Sequence, residues 1–285
     1  MRTIENLVFK GGGVLGVAYA GAIEALDEYK LVDNIHGVAG TSSGSITAAL
    51  LSLRYPPKEI KEIAHSIRFK EFGDRWNPFR IATKYGLYKG DRFLIWMRKI
   101  IKDQTGNENI TFSELIKKGY RDLKVFATDL NTASVKEFSN DSTPTVIVAE
   151  GLRASMSLPL FFSAWKFPDN NPDNHIYVDG GSVYNYPITA FGDLSRTLGF
   201  FLYNDKAVVE NLGYDELFKY TKALYRAMTN AQDIDFGKNK SEEEVTVKID
   251  DFGIPSTELN LSEEQKARLF NSGKKSTLYY LERMS

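Results

Sequence analysis

One stretch of the sequence decides the fold: Gly37-Val38-Ala39-Gly40-Thr41-Ser42-Ser43-Gly44-Ser45. Its small apolar start predicts a short buried strand, and the Ala- and Leu-rich run 45–53 predicts a buried helix. Ser42 lies between them at the centre of a G-x-S-x-G pattern, which is typical of a nucleophile elbow. Gly40 and Gly44 suit such a turn, because a Cβ at either position would collide with the neighbouring element. The stretch predicts Ser42 as a nucleophile at a helix N-terminus, although the same pattern also arises by chance in Gly- and Ser-rich loops.

The segments around the elbow alternate between predicted strands and predicted helices. A strand at 7–9 runs through Gly11-Gly12-Gly13 into a helix at about 17–29. The elbow strand and its helix follow, and Pro56-Pro57 separates that helix from another over 58–67. Strand, helix, strand, helix at this spacing predicts βαβ units and an α/β fold with a mainly parallel sheet.

Further strand and helix patterns occupy the second half of the chain. Strands are predicted at 122–129, 134–138, 176–178, 197–203 and 244–249. Helices are predicted at 144–155 and 214–230, and capping boxes at Thr111 and Ser262 predict two more helix starts. Residues 158–162 read as an apolar loop.

The composition is that of an ordinary soluble globular protein. Of 285 residues, 42% are hydrophobic and 26% are charged, and the net charge of −1 gives no reason to expect a nucleic-acid partner. The absence of cysteine excludes disulfides, thiolate catalysis and Cys-based metal sites. Because no signal peptide or membrane-spanning run is apparent, a cytoplasmic location is predicted. Delivery to another cell by a signal-independent route would leave no trace in the sequence.

Residues 68–102 differ in character from the rest of the chain. They include eight aromatic residues, and ten lysines and arginines outnumber three acidic residues. The first half has weak periodicity, and a helix is predicted from Asp91. One interpretation is a cap-like insertion over the active site that makes peripheral contact with an anionic membrane. The other is a solvated insertion whose aromatic residues fill a small core of their own.

A serine hydroxyl is a weak nucleophile and needs a base, and the sequence has three histidines. His36 lies on the elbow strand and would point along the sheet, whereas His65 lies on a predicted helix. A Ser-His-Asp triad is therefore open only to His175, which lies in a polar, Asn-rich loop.

Asp179 is the better candidate for the base. It follows a predicted strand and precedes Gly180 and Gly181, so a parallel sheet would bring it to the carboxyl edge where the elbow also lies. The alternative is that Asp-Gly-Gly forms an ordinary turn after a strand. To accept a proton from serine, an aspartate needs a raised pKa or a dry site.

The glycines at 11–13 follow the first strand and open a helix. Their N–H groups are candidates for a nest that binds an oxyanion. The same residues, through Gly16, also match the G-x-G-x-x-G pattern of dinucleotide-binding folds. That alternative requires an acidic residue at the end of the second strand, where this chain has Gly40-Thr41-Ser42.

Three motifs, in this order, resemble the patatin-like phospholipase family. They are Gly-Gly-Gly-x-x-Gly after the first strand, Gly-Thr-Ser-Ser-Gly after the second, and Asp179-Gly180-Gly181 far downstream. Flanking residues add to the resemblance, which spans about Leu7 to Pro187: Phe9-Lys10, the run Ala154 to Phe162, and Asn185-Tyr186-Pro187.

The resemblance implies a three-layer α/β/α fold and the site residues of a lipid acyl hydrolase. Ser42 would be the nucleophile, Asp179 the base, and the backbone of Gly11, Gly12 and Gly13 the oxyanion hole. The substrate would be a membrane phospholipid, cleaved through an acyl-enzyme without a metal or other cofactor. Many members carry a basic residue where this chain has Leu15.

We predict a single domain over residues 1–285, with 68–102 as the insertion and 204–285 as a variable C-terminal extension. The oligomeric state is not predicted. Phospholipase A-type hydrolysis is the leading hypothesis for the function. An acyltransferase or thioesterase would use the same elbow and glycine nest, and a non-catalytic lipid-binding protein would retain only the fold.

Overall fold

The computed structural model describes residues 2–73, 84–204, 217–256, 258 and 260–284. The strands, in chain order, are β1 Asn6–Phe9, β2 Gly37–Thr41, β3 Gly86–Tyr88, β4 Asp122–Asp129, β5 Ser134–Phe138, β6 Leu160–Phe162, β7 Tyr177–Asp179, β8 Thr197–Tyr203 and β9 Thr246–Asp250. The helices are α1 Val17–Glu28, α2 Ser43–Ser52, α3 Pro57–Ser66, α4 Asp91–Thr105, α5 Phe112–Lys117, α6 Val148–Ser155, α7 Leu217–Phe236, α8 Lys240–Glu244 and α9 Glu263–Met284.

Seven of these strands form the central sheet. Along its main path the order is β5, β4, β2, β1, β8, β9, and β7 also pairs with β4. Neighbours among β4, β2, β1, β8 and β9 run parallel, whereas β5 and β7 run antiparallel to β4. The predicted mainly parallel α/β sheet is therefore confirmed.

The sheet is buried on both faces. Along β1, Leu7 and Phe9 join a large apolar cluster that includes residues of α1 and α2, while Val8 joins a separate cluster on the opposite face. Because successive side chains of a strand point to opposite faces, this alternation requires a layer of structure on each side of the sheet. The three-layer arrangement follows from it.

Both predicted capping boxes are present. The Thr111 side chain accepts the Glu114 N–H, and the Glu114 carboxylate accepts the Thr111 N–H. Ser262 and Gln265 make the same reciprocal pair at the start of α9, with distances of 2.8 and 3.1 Å. The predicted edge strand near 244–249 is also present, as β9 beside β8.

Three predicted segments differ from the structure in their bounds or in their type. The helix predicted at 144–155 begins at Val148, because the Pro144 and Val146 carbonyls accept N–H groups from the start of α5. The predicted apolar loop 158–162 contains strand β6, which pairs with β3. The helix predicted at 214–230 extends to Phe236, and residues 214–216 lie outside the described residues.

The described aromatic residues of 68–102 pack mostly inward. Phe72 contacts Phe69, Phe93 and Trp96 through edge or tilted ring pairs, and Phe72 and Phe93 are buried. This packing corresponds to the interpretation in which the aromatic residues fill a core. Trp76 and Phe79 lie outside the described residues.

The C-terminal part of the chain is joined to the central layers. Strand β9 extends the sheet beyond β8, and helix α9 packs along α1 with Leu269, Phe270 and Leu281 buried. We therefore keep the proposal that residues 204–285 belong to the same domain as the rest. No helix among the described residues is both long and apolar enough to cross a lipid bilayer.

Candidate active site

Ser42 lies on a sharp turn between β2 and α2. Its backbone has φ +52° and ψ −129°, a left-handed conformation that is uncommon for a residue with a side chain. A Cβ on Gly40 would collide with the backbone of Gly44, and a Cβ on Gly44 would collide with the Phe9 carbonyl. The two glycines let strand and helix approach this closely, so the turn is the predicted elbow.

Further hydrogen bonds hold the elbow in place. The Ser42 N–H donates to the Ser155 hydroxyl at 2.9 Å, and that hydroxyl donates to the Phe126 carbonyl on β4 at 2.6 Å. The Ser45 hydroxyl donates to the Ser42 carbonyl at 2.6 Å. The side chain of Ser42 is only 7% exposed, so a substrate must enter the protein to reach it.

Asp179 reaches the elbow by a route that the sequence did not predict. It ends β7, which runs antiparallel to β4, and it pairs with Ala127. Because Phe126 pairs with Thr41 across β4 and β2, Ala127 is level with Ser42. The expectation of a parallel strand ending at the carboxyl edge is therefore wrong in direction, although the aspartate still lies beside the serine.

The Asp179 carboxyl is almost completely buried, with 1% of the residue exposed. Burial is the largest influence and raises its pKa from the ordinary value to about 6, against the opposing influence of the nearby Ser42 hydroxyl and of the hydrogen bonds from Gly181 and Tyr225. The Gly181 N–H and the Tyr225 hydroxyl each donate to Oδ1 at 2.8 Å. A general base is most effective when its pKa lies near the pH at which the enzyme works, so this raised pKa suits Asp179 to that role.

The glycine loop, residues 11–13, lies next to the elbow, but its three N–H groups differ in their hydrogen-bond partners. The Gly11 N–H donates to the Asn185 carbonyl at 2.9 Å, so it is not available to an oxyanion. This departs from the prediction, which included Gly11. The Gly12 N–H donates to the Ser43 hydroxyl at 3.1 Å, a partner that a substrate oxygen can replace. Within the described part of the chain the Gly13 N–H has no hydrogen-bond acceptor.

The histidines do not take part in this arrangement. His175 Nδ1 lies 2.7 Å from the Asp129 carboxylate, at the opposite end of β7 from Asp179. His65 lies against Phe270 and the Lys266 side chain, and His36 is exposed just before β2. No histidine in the described chain hydrogen-bonds Ser42, so the Ser-His-Asp alternative has no geometric support.

Helix α7 supplies polar groups to the site that sequence reasoning missed. Besides Tyr225, it carries Gln232, which donates to the Gly181 carbonyl at 2.9 Å and accepts the Asn185 N–H at 2.7 Å. Asp233 accepts a 2.6 Å ion-paired hydrogen bond from Lys10, the residue before the glycine loop. No local motif marks these residues, because their partners lie some 40 to 220 positions away in the chain.

A cavity of about 680 Å³ opens beside Ser42 and Asp179. The apolar part of its lining includes Leu15, Met156, Leu158, Phe161 and Phe162. Residues of α7 also line the cavity. A volume of this size is sufficient for a ligand much larger than water. Within the described residues, no cluster of histidine, aspartate and glutamate side chains could hold a metal ion.

The fold and the site define a class: an α/β protein that carries an elbow serine beside a buried carboxylate and a glycine loop. The family model for patatin-like phospholipases matches residues 7–191. The chain therefore belongs to the patatin-like phospholipase family, and it is an enzyme of the lipid acyl hydrolase class.

Two relatives and one solved structure show the range of this similarity. An uncharacterised protein, R571, of Acanthamoeba polyphaga mimivirus is 32% identical, over 96% of this chain and 92% of its own. A probable lipid hydrolase, 463L, of Invertebrate iridescent virus 6 is 27% identical, over 65% of this chain and 62% of its own. The crystal structure of VipD from Legionella pneumophila has the same fold, with a TM-score of 0.72 at 18% identity, over 98% of this chain and 67% of that one.

Proposed function

We propose that the protein is a phospholipase A-type hydrolase in which Ser42 is the nucleophile and Asp179 is the base. The observation that carries this proposal is the buried Asp179 carboxyl beside the Ser42 hydroxyl, with a pKa of about 6. At neutral pH this carboxyl is mainly ionised, yet it is far more basic than an exposed aspartate. It can therefore take the proton of a nearby hydroxyl during attack.

In the first step the Ser42 oxygen attacks the carbonyl carbon of the fatty-acyl ester while Asp179 takes the hydroxyl proton. The negative charge forms on the former carbonyl oxygen. The Gly12 and Gly13 amides lie in the adjacent loop, and the N-terminus of α2 carries partial positive charge. We assign the oxyanion to these donors, with the Gly12 amide exchanging its Ser43 partner for the substrate oxygen.

Collapse of this intermediate breaks the ester C–O bond. Asp179 returns the proton to the departing alcohol oxygen, which leaves as the lysophospholipid, and the acyl group stays on Ser42. Water then attacks the acyl-enzyme as Asp179 takes one of its protons. Collapse of this second intermediate breaks the bond between the Ser42 oxygen and the acyl carbon, and Asp179 returns the proton to the Ser42 oxygen. The products are a free fatty acid and the regenerated serine, so protons and charges balance over the cycle.

The cavity supports an acyl substrate. Leu15, Phe161 and Phe162 provide an apolar lining where a fatty chain can leave water, which is favourable by about 0.8 kcal/mol for each buried CH₂ group. Leu15 occupies the position where many family members carry a basic residue. We therefore assign this position to contact with the chain and not to polarisation of the oxyanion.

The proposal is tested by labelling with a fluorophosphonate, which reacts with activated serines. We expect wild-type protein to label at Ser42 and to release fatty acid from mixed phospholipid vesicles. The Ser42→Ala variant should lose both properties, and Asp179→Asn should lower kcat/KM by about 10³-fold or more while the protein stays folded. Labelling that persists in Ser42→Ala would refute the nucleophile. Unfolding of Asp179→Asn would favour the alternative in which Asp-Gly-Gly is only a turn.

A further inference from the structure

Helix α7 exposes a continuous apolar stripe to solvent. Tyr220, Leu224 and Met228 are 56%, 48% and 37% exposed, and Ala227 and Ala231 are exposed as well. These five positions follow the i, i+4, i+7, i+8, i+11 spacing of one helix face. We call them the outer stripe of α7. At the helical rise of 1.5 Å per residue the stripe is about 16 Å long.

The orientation of α7 is the reverse of that of an ordinary surface helix. Its inward side carries Tyr225, Gln232 and Asp233, whose polar atoms hydrogen-bond the active-site loops. Its outward side carries the apolar stripe. Single exposed apolar residues are common, but a contiguous row of them indicates a surface that contacts another apolar phase.

The charges that α7 carries indicate what the stripe contacts. Residues 217–232 contain Lys219, Lys222 and Arg226 and no acidic residue, in a chain whose net charge is −1. A helix with an apolar face on one side and basic residues on its polar side is the arrangement that binds the interface of an anionic membrane. Each lysine or arginine near such a surface strengthens binding by about fivefold.

The stripe is also next to the active-site cavity. Ala223 and Ile234 of α7 line that cavity. At helical spacing each is a neighbour of the stripe, because Ala223 lies four positions before Ala227 and Ile234 three positions after Ala231. A surface that α7 touches would therefore lie close to the cavity that leads to Ser42. A phospholipid would then have a short path from the bilayer to the nucleophile.

We propose that the outer stripe of α7 docks on an anionic lipid surface and holds the active-site cavity against the bilayer. This docking proposal rests on the proposed phospholipase function, because docking would bring the active site to its substrate. Binding to a membrane can nevertheless be measured without catalysis. Docking through α7 also moves the membrane contact away from 68–102. In the described part of that segment, most aromatic residues pack inward, and Ile95 on α4 is an isolated apolar residue with 66% exposure.

The experiment uses Ser42→Ala protein, so that lipolysis does not change the vesicles. Sedimentation measures binding to vesicles of phosphatidylcholine mixed with phosphatidylserine, an anionic lipid of the cytoplasmic leaflet, and to vesicles of phosphatidylcholine alone. We expect preferential binding to the anionic vesicles that weakens with salt. Adding Leu224→Glu and Met228→Glu should weaken this binding by at least about tenfold. The matched control, Ile95→Glu, places the same charge at an exposed apolar site of α4 and should bind like the parent.

Several results would overturn the docking proposal, and one would bear on the proposed function alone. Absence of binding to anionic vesicles, or unchanged binding by the α7 variant, removes it, and weaker binding by Ile95→Glu alone assigns the contact to α4. A lower molecular mass of the α7 variant in solution would make the stripe an interface between copies of the chain. With Ser42 restored, the α7 variant should hydrolyse a soluble short-chain ester at the parental rate, and loss of that activity would make the stripe structural. Hydrolysis that survives Ser42→Ala would refute the proposed function and leave the binding result standing.

Discussion

The elbow and helix α7 both contribute to one site, but they do so in opposite ways. The elbow is local: Gly40, Ser42 and Gly44 are close in sequence and make the turn almost by themselves. Helix α7 is remote, beyond the residues 7–191 that the family model matches, and it contributes Tyr225 through a single hydrogen bond to Asp179. Sequence motifs therefore locate the proposed nucleophile, while packing between distant parts of the chain sets the protonation of the proposed base.

The largest expected effect concerns protein stability, because ionising the buried Asp179 carboxyl lowers the free energy of unfolding. The pKa of Asp179 is about 6 in the folded protein, above the value of about 3.9 for an exposed aspartate. Between these values the unfolded chain ionises first, so folding stability falls as pH rises from about 4 to 6 and stays lower above that, by about 3 kcal/mol. Asp179→Asn should lack this loss, and its advantage in the free energy of unfolding should grow over that pH range.

Urea denaturation at pH 4, 5, 6 and 7 measures this difference. The Ser42→Ala protein is the matched control, because it lacks the proposed nucleophile but retains the Asp179 carboxyl and should keep the full loss of stability. Asp251, whose pKa burial also raises to about 6, is present in all three proteins and cancels from the comparison. A constant difference between wild type and Asp179→Asn across the series would contradict the raised pKa.

The next test concerns the contact between the two regions. A Cβ on Gly181 would collide with the Tyr225 hydroxyl and lie 3.0 Å from Asp179 Oδ1. Gly181→Ala should therefore displace Tyr225 from Asp179, and we expect kcat/KM to fall by about 10²-fold, since small displacements of catalytic groups have costs of this order. Gly237→Ala is the control, because its added Cβ makes only ordinary contacts of 3.6 Å. If both substitutions changed kcat/KM equally, the position of Tyr225 beside Asp179 would not matter for the activity.

Much of the fold and half of the site could be predicted from the sequence. The strand before Ser42, the helix after it and both capping boxes depend on neighbouring residues, so local patterns reveal them. The antiparallel direction of β7 could not be predicted, because three residues show no direction of pairing. The pairing of the Gly11 amide with Asn185 depends on a contact 174 residues away, and the same holds for Tyr225, which no motif marks.

The smallest expected effect isolates the hydrogen bond that joins the two regions. In wild type, the Tyr225 hydroxyl stabilises the ionised form of Asp179, and both burial and the nearby carboxylate raise the pKa of the phenol, so it remains protonated. Tyr225→Phe removes only the hydroxyl, and the pKa of Asp179 should therefore rise. A hydrogen bond to a charged group contributes about 1.5 kcal/mol, which corresponds to about one pH unit. We expect the acidic limb of the kcat/KM profile to move up by that amount, so that activity falls by about tenfold well below pH 6, by about twofold at pH 7 and hardly at all at pH 9. A structural role alone would lower the rate equally at every pH, so an unshifted limb would exclude Tyr225 from setting the protonation of the base.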